Sequence, residues 1–418
     1  MTKYIYGVDF GTTNSALAIL DVDKNEVVKV FTMPSVLFFP EYQDSSKAFS
    51  YLTGQKAVEA YVKSRSKGRL MKSIKSVLPI KSFTHTVIAG NAFTSEDLVA
   101  LIVSAMKKEA DTYLGIDVKT AVIGRPVVFS ENPEKEAVAQ KRLEKAVTIA
   151  GFEKTYFQME PIAAAFTYER SLKKEELVLV GDFGGGTSDF TIMPLGTKKN
   201  TENIVQGGIY IGGDNFDAKL MWYKGTLHFG RGVKEKFYDK WLELPLSYFV
   251  NITTWAKMNF LNTNKMKEAI KKSYYQSENN PKVKNLLTLI DKNLGYFLFQ
   301  KVEEAKIELT QKDITNFTFN AEGIAFEETI SISDFENDII AEDVKKISVY
   351  LDDFLLKNEV DYIAIDSVFM TGGTSMVRAL KKLFINKFGD SKIKSGDNFN
   401  SVAMGLAYSY QKFEDAVS

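Results

Sequence analysis

The sequence predicts an α/β protein of two lobes related by duplication. An apolar strand ending in an aspartate, an aromatic residue and a glycine- and hydroxyl-rich turn occurs near the start, Tyr6-Gly7-Val8-Asp9-Phe10-Gly11-Thr12-Thr13-Asn14-Ser15. It recurs mid-chain as Val180-Gly181-Asp182-Phe183-Gly184-Gly185-Gly186-Thr187-Ser188. Each copy runs into a second apolar strand, 16–20 or 190–193, so each is a hairpin with an acidic tip. The copies stand about one domain length apart. At 418 residues and 45% apolar content, the chain can fill two cores.

The remaining elements follow in order. Residues 4–8 form a strand that Asp9 interrupts, too short for a signal-peptide core or a membrane span. The stretch 64–75 is basic, with Arg65, Lys67, Arg69, Lys72 and Lys75 following Lys63, and is expected as a solvated helix face. Residues 119–127 predict a strand and 132–150 a helix. Over 158–168 a turn feeds a helix through Glu160-Pro161, since proline suits a helix start, and the run Ala163-Ala164-Ala165 lets that helix pack close to a neighbour. Glu160 is either a cap of that helix or a functional carboxylate. Gly207-Gly208 precedes Gly212-Gly213-Asp214-Asn215-Phe216-Asp217, which opens a further helix. Residues 218–311 predict an inserted, mostly helical subdomain closed by an amphipathic helix over 296–310 that carries Glu303 and Lys306. A strand pair at 314–319 and 323–332, one long helix over 334–357, a strand at 367–370, the turn Thr371-Gly372-Gly373-Thr374-Ser375, a helix from 376 and a last helix over 400–412 complete the chain.

Composition narrows the chemistry. Fifty-three basic against fifty-three acidic residues leave no net charge to recruit nucleic acid or an acidic membrane. The absence of cysteine removes disulfides, thiolate zinc sites and cysteine nucleophiles, and the two histidines, His85 and His228, are expected to be ordinary surface or core residues. Carboxylates, lysines, hydroxyls and backbone amides remain. Glycines let backbone amides point outward and a phosphate approach closely, because no Cβ stands in the way. The neighbouring aspartate suits magnesium, which takes oxygen ligands and keeps several waters. Two such tips imply two jaws closing on one phosphate-bearing ligand, with the Gly212-Gly213 helix start as a third receiver of phosphate oxygens. The P-loop and Rossmann glycine patterns are absent, and Asp182-Phe183-Gly184 spells the kinase triplet without a His-Arg-Asp loop before it.

The order of these motifs resembles the nucleotide-binding domain of the seventy-kilodalton heat-shock chaperones, the DnaK type, within the actin and sugar-kinase superfamily. Five segments carry the resemblance: residues 7–15, Glu160-Pro161-Ile162-Ala163-Ala164-Ala165, residues 181–189, residues 212–217 and residues 371–375. The chain also looks like the short YegD-type members, which consist of the ATPase domain without the peptide-binding part. The resemblance implies a duplicated actin-like ATPase fold, with a mixed sheet and flanking helices in each lobe and a nucleotide cleft between them. Lobe I is expected over 1–168, with a peripheral subdomain at about 34–92. Lobe II is expected over 169–418, with the helical subdomain at about 218–311 and the last helix packing back between the lobes.

Residue by residue, the resemblance implies that Asp9 and Asp182 hold Mg2+ through waters. Gly11, Thr12, Thr13 and Asn14, with Gly184, Gly185, Gly186 and Thr187, line the β- and γ-phosphates. Lys75 aligns with the lysine that reaches the γ-phosphate, and Glu160 and Asp189 with carboxylates that position the attacking water. Lys75, Glu160, Asp182, Thr187 and Asp189 make up the implied catalytic set. Gly212, Gly213, Asp214, Glu303, Lys306, Gly372, Gly373 and Thr374 match positions around the α-phosphate, ribose and adenine. Two departures stand out. Ile307 occupies the place of an arginine that usually lies over the adenine face, which predicts weaker nucleotide binding without the cation–π contribution. Pro79 follows Lys75 where glycine is expected.

The implied function is that of a slow, Mg-dependent ATPase, with ATP or ADP bound and K+ as a second candidate cation, acting in the cytoplasm as a nucleotide-switched protein-interaction module. The expected partner is a client or partner protein of unknown identity, not nucleic acid or membrane, and a monomer is the starting expectation. No interdomain linker or peptide-binding domain is expected after the last helix, so client refolding does not follow. A non-hydrolysing ATP-bound scaffold, a small-molecule kinase of the same superfamily and an actin-like filament former are the alternatives.

Overall fold

A computed structural model describes residues 3–41, 49–64, 67–130, 132–196, 204–258, 261–396 and 400–415. Both acidic hairpins form. Strand Tyr4–Asp9 pairs antiparallel with Asn14–Asp21, setting Asp9 opposite Ala16, and Glu176–Phe183 pairs antiparallel with Ser188–Leu195, setting Asp182 opposite Asp189. Each hairpin lies within a five-stranded mixed sheet. The first sheet runs Lys154–Met159, Thr120–Arg125, Tyr4–Asp9, Asn14–Asp21, Glu26–Pro34; the second runs Ile393–Ser395, Ser367–Thr371, Glu176–Phe183, Ser188–Leu195, Val205–Ile209. In both, the Asp-bearing strand is followed on one side by two successive parallel pairings and on the other by two successive antiparallel pairings. The duplication read in the two tips thus extends to whole-sheet topology. The Asp-bearing strands are almost continuously apolar because both faces are covered.

One core joins the sheets. Ile5 and Ala18 of the first and Val178, Val180 and Met193 of the second pack with Ala163–Ala165 of helix Glu160–Glu169 and Leu406 and Ala407 of the C-terminal helix Ser401–Asp415. The alanine run permits a close helix crossing. At Gly405 a Cβ would fall 1.6 Å from the Ala163 carbonyl oxygen, so this contact admits only glycine. The other face of the first sheet, Tyr6, Val8, Leu17 and Ile19, packs on helices Ser95–Leu114 and Pro133–Ile149. Both helices start with side-chain caps, a Thr94/Asp97 capping box and Asn132 respectively.

The chain forms two compact units. Residues 1–212, 347–376 and 380–418 make the first, which holds both five-stranded sheets; residues 213–346 and 377–379 make the second. The second unit is mostly helical and also contains the hairpins Lys234–Phe237/Lys240–Glu243 and Ile314–Ala321/Ile324–Ser331.

Two expectations give way. The single helix over 334–357 is broken: a turn at Ile332–Asp334 leads into a wide π-type turn, Phe335–Ile339, and the helix proper is Ala341–Lys357. The Ile340 amide donates to the Phe335 carbonyl at 3.0 Å, and this longer-range bond brings Phe335 and Ile340 to one buried face. The basic stretch 64–75 is not a solvated helix face. Helix Gly54–Lys63 ends at Ser64, Gly68 adopts φ +109, Arg69–Met71 pairs with Leu37–Phe39, and Lys75 sits on the short turn Ile74–Val77. Burial of Leu70 and Ile74 turns the segment inward. Arg65 lies outside the described residues.

Candidate functional site

The first tip is fastened from beneath. The Ser35 hydroxyl donates to the Gly11 carbonyl at 2.8 Å, Ser15 and Ser35 share a hydroxyl bond of 2.7 Å, and the Ser35 amide donates to the Thr13 carbonyl at 2.8 Å. Gly11, Thr12, Thr13 and Asn14 are therefore held as one turn beside Asp9. Ser35 was not among the residues the sequence singled out; nothing in its local pattern sets it apart from other serines.

The second tip gathers three segments of the first unit. The Gly184 amide donates to the Thr187 carbonyl at 3.0 Å, the Thr187 hydroxyl to Asp189 Oδ2 at 2.7 Å, and the Thr374 hydroxyl to the Gly184 carbonyl at 2.8 Å. Gly372, at φ +81, lies so close that a Cβ there would sit 2.3 Å from the Phe183 carbonyl oxygen and 2.8 Å from Asp182 Oδ1. A Cβ on Gly212 would lie 2.5 Å from the Gly185 carbonyl oxygen, which sets residue 212 against the same loop.

Lys75 and Glu160, 85 residues apart in sequence, form an ion pair at 2.6 Å with side chains 11% and 12% exposed. Glu160 occupies the first turn of its helix, whose cap residue Met159 makes no side-chain bond, and its carboxylate is spent on Lys75. Burial, then Glu160, push Asp9 up to about 7, with Lys75 opposing. Burial pushes Asp189 up to about 7, against the Thr187 hydrogen bond, and Glu160 adds to the rise. Asp182 is driven well above the carboxylate range by burial, then by Glu160, Asp189 and Asp9. Burial alone would lower Lys75, but Glu160, Asp9 and Asp182 outweigh it and hold the ammonium charged. Asp9, Asp182, Asp189, Glu160 and Lys75 are thus brought together in the first unit, with more negative than positive charge. Among the described residues no three acidic or histidine side chains are arranged to ligate one ion directly.

Gly213, Asp214, Glu303 and Lys306 belong to the second unit. There the Lys306 ammonium donates to Asp217 Oδ2 at 2.8 Å and to the Gly213 carbonyl at 3.4 Å. Its burial is outweighed by Asp217, Glu303 and Asp214, which raise its pKa. Asp217, part of the 212–217 motif but not picked as a site residue, is the direct partner of Lys306. Ile307, the next residue, is 52% exposed.

Two matching mixed sheets, each sending an Asp-Gly hairpin tip toward a shared lysine–carboxylate cluster, define the actin-like ATPase class. The model of the Hsp70 protein family matches residues 5–229, more than half of the sequence, and the chain belongs to that family of ATP-binding chaperones. It is similar to the chaperone protein DnaK of Thermosipho melanesiensis and to that of Thermosipho africanus, each 28% identical over 421 residues and covering 97% of this chain. The chain spans 58% of the length of these relatives. Among the described residues no helix is long and apolar enough to cross a membrane.

Proposed function

We propose that this chain binds ATP with Mg2+ between its two acidic hairpin tips and hydrolyses it slowly, serving as a protein-interaction module whose state the nucleotide sets. The observation that carries this reading is the convergence of Asp9, Asp182 and Asp189 on the Lys75–Glu160 pair. Carboxyls that raise one another are stabilised by added positive charge, and a hydrated divalent ion supplies it. Asp9 and Asp182 would hold Mg2+ through waters, and the ion would supply neutralisation of phosphate charge; K+ is the second candidate.

The turns Gly11–Asn14 and Gly184–Thr187 would receive phosphate oxygens on their amides, apart from the Gly184 amide, which the Thr187 carbonyl already accepts. Lys75 would exchange Glu160 for the γ-phosphate, freeing that carboxylate to orient water. Asp189, near 7, is matched to accept a proton at neutral pH. The water oxygen attacks the γ-phosphorus, the bond to the β–γ bridging oxygen breaks, the proton passes to the carboxylate, and ADP leaves with the bridging oxygen. For the α-phosphate, ribose and adenine the candidates remain Gly212, Gly213, Asp214, Glu303, Lys306, Gly372, Gly373 and Thr374. A client or partner protein engaged according to nucleotide state, and a YegD-type mode of action, belong to the same proposal.

Single-turnover assays with γ-labelled ATP test it. Slow phosphate release by the parent, and release at least about tenfold slower in Lys75→Ala, is the expected result. No release above background would leave an ATP-bound scaffold, and label transferred to an added sugar or acid would indicate a small-molecule kinase.

A further inference from the structure

Resting on the reading just given and deepening it, we propose that Arg142 is the positioning residue for Lys75, holding the segment that carries the lysine at the height where it meets Glu160. That segment, 74–83, has no sheet partner among the described residues; the next strand is Thr86–Ile88. Its internal bonds are single turns: the Leu78 amide to the Lys75 carbonyl at 3.2 Å, Ile80 to Val77 at 3.1 Å and Phe83 to Ile80 at 3.0 Å. Such a stretch does not fix a lysine by itself.

The carbonyls of the segment converge on one side chain from helix Pro133–Ile149. Arg142 Nη1 donates to Val77, Leu78 and Ile80 at 3.3, 2.9 and 2.9 Å, and Nη2 donates to Phe83 at 2.8 Å. A guanidinium presents its donors in a rigid planar fork, so this grip has one geometry. Glu134, at the start of the same helix, pairs with Lys81 and gives a second point of attachment. Ile74 and Leu78, both buried, flank Lys75 and anchor the apolar side. Pro79 lacks an amide proton and has a fixed φ, so the segment loses the adjustable joint that a glycine would provide there. The helix therefore sets the position of Lys75, and Arg142 acts through the lysine without touching the substrate.

Two measurements decide it. Brief acetylation of the nucleotide-free protein, read by peptide mass spectrometry, should modify Lys75 about fivefold faster or more in Arg142→Ala, with Arg142→Lys intermediate, because the clamp no longer keeps the ion pair closed. Lys107, also buried and paired with Asp111 and Asp117, should be unchanged and reports on global unfolding. In single turnover, Arg142→Ala should slow hydrolysis about tenfold while ADP affinity stays within about twofold. Added to Lys75→Ala, it should slow nothing further. Unchanged Lys75 labelling overturns the clamp, and equal slowing in the parent and Lys75→Ala backgrounds overturns positioning in favour of a purely structural role. A parent that hydrolyses no ATP contradicts the proposed function, and the labelling then decides the clamp alone.

Discussion

Replacing Asp9 by asparagine removes a charge that the nucleotide-free protein holds unfavourably. Burial and Glu160 push this carboxyl up to about 7, whereas an unfolded aspartate titrates near 4. Between those values the native state binds more protons than the unfolded state, so the contribution of Asp9 to stability falls as pH rises from about 4 to about 7 and is level above that. A carboxyl displaced so far carries roughly 4 kcal/mol of unfavourable interaction at pH 7.5. Asparagine keeps the shape but leaves an amide to be satisfied beside Lys75, which takes back about 2 kcal/mol or more. The expected net gain for Asp9→Asn is about 1–2 kcal/mol at pH 7.5, falling as the pH is lowered and turning into a net loss of about 1 kcal/mol near pH 4.5. Urea unfolding of parent and variant at three pH values, without metal or nucleotide, measures this. A variant equally destabilised at every pH would refute the claim that neighbouring carboxylates strain Asp9.

Other outcomes follow from the same geometry. Gly405→Ala should lower stability by about 2 kcal/mol or more, since a Cβ would overlap the Ala163 carbonyl oxygen and force the helices apart; calorimetry showing an unchanged melting temperature would mean that the crossing is looser. Glu160→Ala should slow hydrolysis at least about tenfold and leave nucleotide affinity near normal. It should also lower stability by about 1–3 kcal/mol, because it removes the hydrogen-bonded partner of a buried ammonium; lost affinity would instead implicate the helix start itself. Ile307→Arg should tighten ADP binding by about threefold through stacking on the adenine, and no change in the calorimetric affinity would count against that segment as the adenine neighbour.

Legibility in the sequence followed locality. The hairpin tips announce themselves because a turn at an acidic strand end demands glycines and hydroxyls within a few residues, and the pairing of Asp182 opposite Asp189 follows from that turn. The parallel strands Thr120–Arg125 and Ser367–Thr371 were visible as strands, but their places in the sheets depend on distant contacts. Lys75 shows the limit. Its charge reads as solvated, yet Gly68 breaks the helix, Leu70 and Ile74 turn the chain inward, and Glu160, far along the sequence, meets the ammonium. Resemblance alone marked it. Phe335, Ile339 and Ile340 fit helical spacing well enough to hide a π turn, which changes the register by one residue. Ser35 supports the first tip through a register relation, to Thr13, that no local pattern encodes.

The proposed function requires that Asp9 and Asp182, from the two copies of one hairpin, serve a single metal–nucleotide. Calorimetric titration of ATP with and without Mg2+ into the parent, Asp9→Asn and Asp182→Asn measures this most directly. The expected result is one Mg-dependent site in the parent, weakened at least about tenfold in each variant. Equal affinity in all three proteins, or binding indifferent to Mg2+, would contradict it.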